Sequence, residues 1–216
     1  MPFVLVEHPA PESLNARLRE LFLAREAAGS RFANPDPMVQ RNSQVFESSF
    51  QLFDWPDAAI AELREFCWKS LYRAVGELNS YDLATLRNLH IAAESWFHIT
   101  RKGGYFALHN HPMASWSGVY GVSTGNDQSG LADSGLLSFV SPMATNTMFL
   151  DMAIARMQAP YAYAPRQFKL SAGQLVLFPS WVLHEVRPYS GEGERITVAF
   201  NARFKMAGME RPAVPV

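Results

Sequence analysis

The chain has 216 residues, 48% of them hydrophobic and 18% charged, with a formal net charge of −1 and a single cysteine, Cys67. Such a composition can bury one sizeable core and is not that of a disordered chain. It excludes a basic nucleic-acid track, an intrachain disulfide and a multi-thiolate metal site. The opening MPFVLVEHPAPE has neither a basic n-region nor a long apolar stretch, so no secretory signal is expected. No apolar run reaches the roughly 20 residues of a membrane span. A reducing, cytoplasmic setting is the expectation.

In chain order, FVLVE (3–7) reads as a short strand. PESLNARLRELFLAREAAG follows with Leu14, Leu18, Leu21 and Phe22 on one helical face and Gly29 as the stop. Residues 30–56, with Asn34-Pro35 and Asp36-Pro37, read as loop. A second helix starts after Pro56, with Asp57 as its cap and Ile60, Leu63, Cys67, Leu71, Ala74 and Leu78 as its apolar stripe. Cys67 is expected as a small buried hydrophobe. From about residue 86 the texture changes. LHIAAESWFHI, YFALHNH, WSGVYGVST, LLSFVS, RQFKLS, GQLVLFP and RITVAFNARF are short aromatic and β-branched runs between turn residues. Seven or more such strands point to a sandwich or jelly-roll barrel. A helical turn is expected within 145–158, and GMERPAVPV reads as a loose tail. The expected fold is α+β in a single domain, 1–216. Residues 1–85 form a mainly helical buttress, 86–204 a jelly-roll core and 205–216 a tail.

The chemistry gathers in two places. His109 and His111 stand one residue apart in a chain with six histidines. On an extended strand they point to the same face, and converging neutral imidazoles suit a metal ion. His184 follows a strand-like run, and eleven residues later Arg195 opens RITVAF. A jelly roll brings distant residues to one mouth, so His184 is the expected third ligand. Arg195 and Thr197 share a face of their strand, and a guanidinium fork is the best holder of a carboxylate.

The pattern H-x-H … H-x10-R-x-T resembles that of the iron(II)/2-oxoglutarate-dependent oxygenases. HNHPMASWSGVYGV, FPSWVLHEVRP and ERITVAFN resemble a branch of that superfamily with the signature H-x-H-P … S-G-V-Y … F-P … H … R. Residues 94–204 carry the resemblance, while residues 1–90 are compatible with it but hold no chemistry. It implies a double-stranded β-helix and a non-haem iron(II)- and 2-oxoglutarate-dependent dioxygenase that hydroxylates or oxidises a substrate. His109, His111 and His184 match the catalytic iron ligands. Arg195 matches the residue that pairs with the far carboxylate of 2-oxoglutarate, and Thr197 its hydroxyl helper. The departure is His111, where the superfamily usually has Asp or Glu. Asp127 and Asp133 are ranked behind it as substitute carboxylates.

Two alternatives stand beside this reading. Gly103 to His111 also reads as G-x5-H-x-H, the start of a cupin motif, although Trp181 stands where a cupin expects Gly. A three-histidine cupin such as a thiol dioxygenase, or a non-catalytic metal-binding module, therefore remains open. Tyr120 and Trp181 are expected to pack the barrel, and Tyr105 and Ser117 are candidates for the pocket. His8, His90 and His98 are expected to be structural or exposed. The partner is expected to be a small molecule or peptide, not nucleic acid or a membrane, with a homodimer left open.

Overall fold

The computed structural model describes residues 1–142, 151–158, 161 and 165–207. Short strand β1 (Val4–Glu7) leads into helix α1 (Pro11–Ala27), which begins on a proline whose missing N–H costs nothing in a first turn. Leu14, Leu18 and Phe22 are fully buried along one face of α1, and Leu21 flanks them half-buried. Gly29, at φ 72°, turns the chain away just past the helix.

Helix α2 (Ala58–Asn79) buries Ile60, Leu63, Cys67, Leu71 and Ala74 as the periodicity predicts. Two details differ. Leu78 lies past the packed face and is half-exposed. Asp57 occupies the N-cap position but makes no side-chain cap bond, since its carboxylate is turned to Arg25 at 3.4 Å. Residues 30–56 are not all loop, because β2 (Val45–Glu47) forms there. A short helix α3 (Leu83–Arg87) also went unpredicted; it is capped by Asp82, which accepts from the Thr85 amide at 2.7 Å.

The remaining strands are β3 (Leu89–Thr100), β4 (Phe106–His109), β5 (Trp116–Asn126), β6 (Leu137–Phe139), β7 (Arg166–Phe168), β8 (Gln174–Pro179), β9 (His184–Val186) and β10 (Glu192–Met206). They build two antiparallel sheets. The larger runs β1-β8-β5-β10-β3-β2 and the smaller β4-β9-β6-β7. This is the jelly-roll, or double-stranded β-helix, arrangement. Of the 145–158 segment, residues 152–156 form turns, with the Ala155 amide bonded to the Asp151 carbonyl at 2.9 Å. Residues 145–150 and the tail 208–216 lie outside the described residues.

Helices α1 and α2 cover the outer face of the large sheet. Leu14, Phe22, Cys67, Phe97, Val198 and Phe200 meet there in one cluster, with the Phe22 and Phe97 rings stacked at 4.1 Å. Each fully buried ring of this kind contributes about 1.5–3 kcal/mol. A second cluster, with Phe139, Val176, Phe178 and Val182, fills one end of the space between the sheets. The other end is an open cavity into which a few polar side chains project. Alternation along β10 explains both faces, since Ile196, Val198 and Phe200 point to the helices while Arg195, Thr197 and Ala199 point between the sheets.

Candidate metal centre at the barrel mouth

His109 ends β4 and His184 begins β9, and the two are direct cross-strand partners. Residues paired in this way project from the same face, and the two imidazoles sit 4.3 Å apart between centroids. His111 arrives differently from the expectation. β4 stops at His109, so strand alternation does not aim His111. Its backbone amide instead bonds the Ser180 carbonyl at 2.9 Å, which holds its ring 5.0 Å from His109 and 5.2 Å from His184. One ligand nitrogen from each histidine lies within 4.8 Å of the others.

The protonation pattern suits a metal. His109 Nδ1 lies 2.7 Å from the Ala107 carbonyl and His184 Nδ1 lies 2.9 Å from the Val182 carbonyl. A carbonyl only accepts, so both Nδ1 atoms donate and each Nε2 lone pair is left free, as metal-bound histidines require. Burial is the main cause that lowers all three pKa values, to about 3 for His184 and about 4 for His111. The imidazoles are neutral near pH 7. Three neutral nitrogens converging in this way can hold a divalent transition ion. Asp127 and Asp133 stand apart from this group, bonded to Lys169 at 3.0 Å and Arg187 at 3.2 Å.

The histidines open into a cavity of about 290 Å³ whose far wall is β10 and β3. Arg195 and Thr197 are buried in that wall. Burial pulls the Arg195 pKa down to about 10, which leaves it charged at pH 7. Among the described residues no carboxylate pairs with it. Its stem runs beside Tyr189 and Gly135, where an added Cβ would lie 3.0 Å from Arg195 Cδ and 3.3 Å from Tyr189 Cδ2. A register shift between Ile196 and Thr197 sets Thr197 against Gly121 of β5. Bulges of this kind commonly re-aim a side chain beside a site.

His98 is neither isolated nor exposed. It lines the cavity across from Thr197, with Nε2 3.0 Å from Glu47 Oε2 and 2.9 Å from the Trp96 indole nitrogen. Burial alone would raise the Glu47 carboxyl. The contact with His98, a hydrogen bond from Asn34 and the charge of Arg41 nevertheless hold it below its ordinary value. Glu47, Trp96 and His98 were missed in the sequence, although Glu94, Trp96 and His98 recur with period two in LHIAAESWFHI. Ser117 does line the cavity, whereas Tyr105 and Tyr120 do not. The Tyr120 hydroxyl bonds Asn15 of α1 at 2.9 Å, and Trp181 is half-exposed rather than packed.

The family profile described as "Putative 2OG-Fe(II) oxygenase" matches residues 94–201, half of the chain and a span that holds all three histidines, Arg195 and Thr197. The chain belongs to this oxygenase family. Solved structures share the oxygenase's fold. A Pseudomonas putida prolyl-4-hydroxylase superposes with a TM-score of 0.61 at 18% identity, over 93% of this chain and 91% of its own. A Trichoplax adhaerens prolyl hydroxylase, solved with a hypoxia inducible factor peptide fragment, gives 0.56 at 16% identity, over 93% and 83%. HygX from Streptomyces hygroscopicus, solved with nickel, 2-oxoglutarate and hygromycin B, gives 0.54 at 14%, over 93% and 82%. A search of curated proteins returns no match. The oxygenase's cofactors are accordingly iron(II) and 2-oxoglutarate, and the family match favours this reading over a cupin. No helix among the described residues is long and apolar enough to cross a membrane.

Proposed function

We propose that the protein oxidises a C–H bond of a small-molecule or peptide substrate with His109, His111 and His184 as iron ligands and Arg195 and Thr197 as the 2-oxoglutarate clamp. One observation carries the assignment: a buried, charged guanidinium without a carboxylate partner among the described residues shares one cavity with three convergent imidazoles. A buried unpaired charge is costly unless a ligand pairs with it. The spacing supports the pairing. β10 rises about 3.3 Å per residue, so Arg195 lies roughly 13 Å along the strand from Ala199. Ala199 faces Trp96, whose ring is 6.0 Å from that of His111. The interval accommodates the arginine side chain and a five-carbon diacid.

Iron(II), when bound, supplies the oxygen chemistry that no side chain can. The net reaction converts substrate C–H, dioxygen and 2-oxoglutarate to C–OH, succinate and carbon dioxide, with one oxygen atom entering each organic product. The protein's own groups bind and orient. The Ala107 and Val182 carbonyls fix the His109 and His184 tautomers, and the guanidinium fork with the Thr197 hydroxyl fixes the diacid. A cytoplasmic setting accords with one buried cysteine whose thiol burial pushes well up, out of the reactive range.

Arg195→Met tests the assignment. Loss of a buried charged partner costs about 2–5 kcal/mol, so the 2-oxoglutarate Kd should rise roughly 30-fold or more while metal content stays the same. Equal affinity in the two proteins by calorimetry would overturn the clamp.

A further inference from the structure

Past the histidines, away from Arg195, the β3–β10 wall carries a second set of polar groups. The register pairs Glu94 with Asn201 and places Arg203 across from Ala92, diagonal to Glu94. All three line the cavity mouth. Ser117 Oγ donates to Asn201 Oδ1 at 2.7 Å and lies 2.8 Å from Ser180 Oγ, and both hydroxyls are buried. This fixes the amide with its oxygen held by Ser117 and its Nδ2 without a partner among the described residues. Glu94 and Arg203 are exposed at this mouth and have no hydrogen bond or ion pair among the described residues. Diagonal neighbours on an antiparallel pair are about 7–8 Å apart, so the two opposite charges stand side by side, open to solvent. Between this row and the histidines the lining turns apolar. Trp96 and Ala199 face each other, and the Phe50 ring lies 4.6 Å from Trp96.

Resting on the oxygenase reading above, we propose that the substrate is a free α-amino acid with a bulky apolar side chain. Glu94 takes the ammonium, and Arg203 with Asn201 Nδ2 takes the carboxylate. The side chain passes Trp96 toward the histidines. A zwitterion is the small molecule that satisfies a carboxylate, an amide N–H and a guanidinium set side by side. An internal peptide residue carries neither charge and offers neither group an opposite one. The step from Asn201 to Ala199 is about 7 Å along the strand, close to the reach of an extended phenylalanine side chain, with methionine and leucine stopping progressively short of it. The C–H bond presented is therefore near the far end of the side chain and not at the α-carbon.

Calorimetry with the full chain, metal-free and nickel-loaded, tests this without turnover. The probes are L-leucine, L-methionine and L-phenylalanine, each beside its N-acetyl and methyl-ester derivatives, with 2-oxoglutarate titrated separately. At least one free amino acid should bind. Blocking either end should weaken it roughly tenfold, Glu94→Gln should abolish the discrimination against N-acetylation, and Arg203→Met that against the ester. Blocked and free forms binding equally would mean that the two charges are only solvated, and would overturn the proposal, as would no binding by any of the three amino acids. Absence of 2-oxoglutarate binding in the same proteins would instead overturn the oxygenase reading, while amino-acid binding is still measured in the metal-free chain.

Discussion

Replacing Gly135 by alanine should damage 2-oxoglutarate binding without replacing any group proposed to contact it. Two effects add. Gly135 has φ 62°, where an L-residue costs roughly 1–2 kcal/mol. For a chain of this size that lowers Tm by roughly 2–8 °C. The new Cβ would also lie 3.0 Å from Arg195 Cδ and 3.1 Å from its Nε. Those atoms are mid-stem in a buried side chain backed by Tyr189, so the guanidinium must shift by a few tenths of an ångström. Misaligning a charge-assisted fork by that amount should cost about 1–2 kcal/mol, a rise in Kd of roughly five- to thirtyfold. Gly130 is the control. It has φ 71° but nothing within 4 Å of its added Cβ. Gly130→Ala should show a comparable Tm loss and unchanged affinity. Thermal denaturation and calorimetry on both variants separate strain from displacement. Equal 2-oxoglutarate affinity in the two would refute the account of how Arg195 is held.

Glu47→Gln should destabilise the metal-free protein by about 1–3 kcal/mol at pH 7, since it removes the carboxylate shared by His98, Asn34 and Arg41. The Glu47 carboxyl is held below its ordinary value, so its stabilisation is present above the unfolded carboxylate pKa and is lost as pH falls through the folded value. The gap between wild type and variant in chemical denaturation should therefore shrink from pH 7 to pH 3.5, and a constant gap would count against it. His111→Ala should lose most bound iron, read by elemental analysis, and full retention would remove His111 from the ligand set. Stripping metal with a chelator should lower the wild-type Tm and leave that of His184→Ala nearly unchanged.

The site was more legible than its surroundings, for identifiable reasons. Arg195 and Thr197 stand two apart on one strand, His109 and His184 are brought together by the β4–β9 register, and all four line one cavity. His111 reached the cluster by a route the sequence does not show. Strand alternation was the expected cause, but a loop bond to Ser180, sixty-nine positions away, holds it. Glu47 and His98 could not be paired beforehand because β2 lies in a stretch whose Asn-Pro and Asp-Pro steps signal loop. Only the register Glu47↔His98 brings them together. Gly135 is the same case, since nothing in GLADSG reveals that its bare Cα makes room for an arginine sixty residues later.

The departure at His111 has an electrostatic consequence that can be tested by reversing it. With imidazole in place of a carboxylate, a bound divalent ion keeps one more unit of positive charge. A unit charge at about 5 Å is worth roughly 3 kcal/mol at an effective dielectric near 20, and solvent at the cavity mouth reduces this. The wild-type site should therefore hold the bare ion weakly and the dianionic 2-oxoglutarate strongly. By linkage, 2-oxoglutarate must then tighten metal binding by the same factor by which metal tightens 2-oxoglutarate binding. His111→Asp should invert the balance, with the ion held more tightly and the 2-oxoglutarate Kd raised about ten- to hundredfold. Chelator competition with and without 2-oxoglutarate reads both quantities in each protein. A cosubstrate effect on metal affinity of the same size in wild type and His111→Asp would show that the extra positive charge does not govern the site.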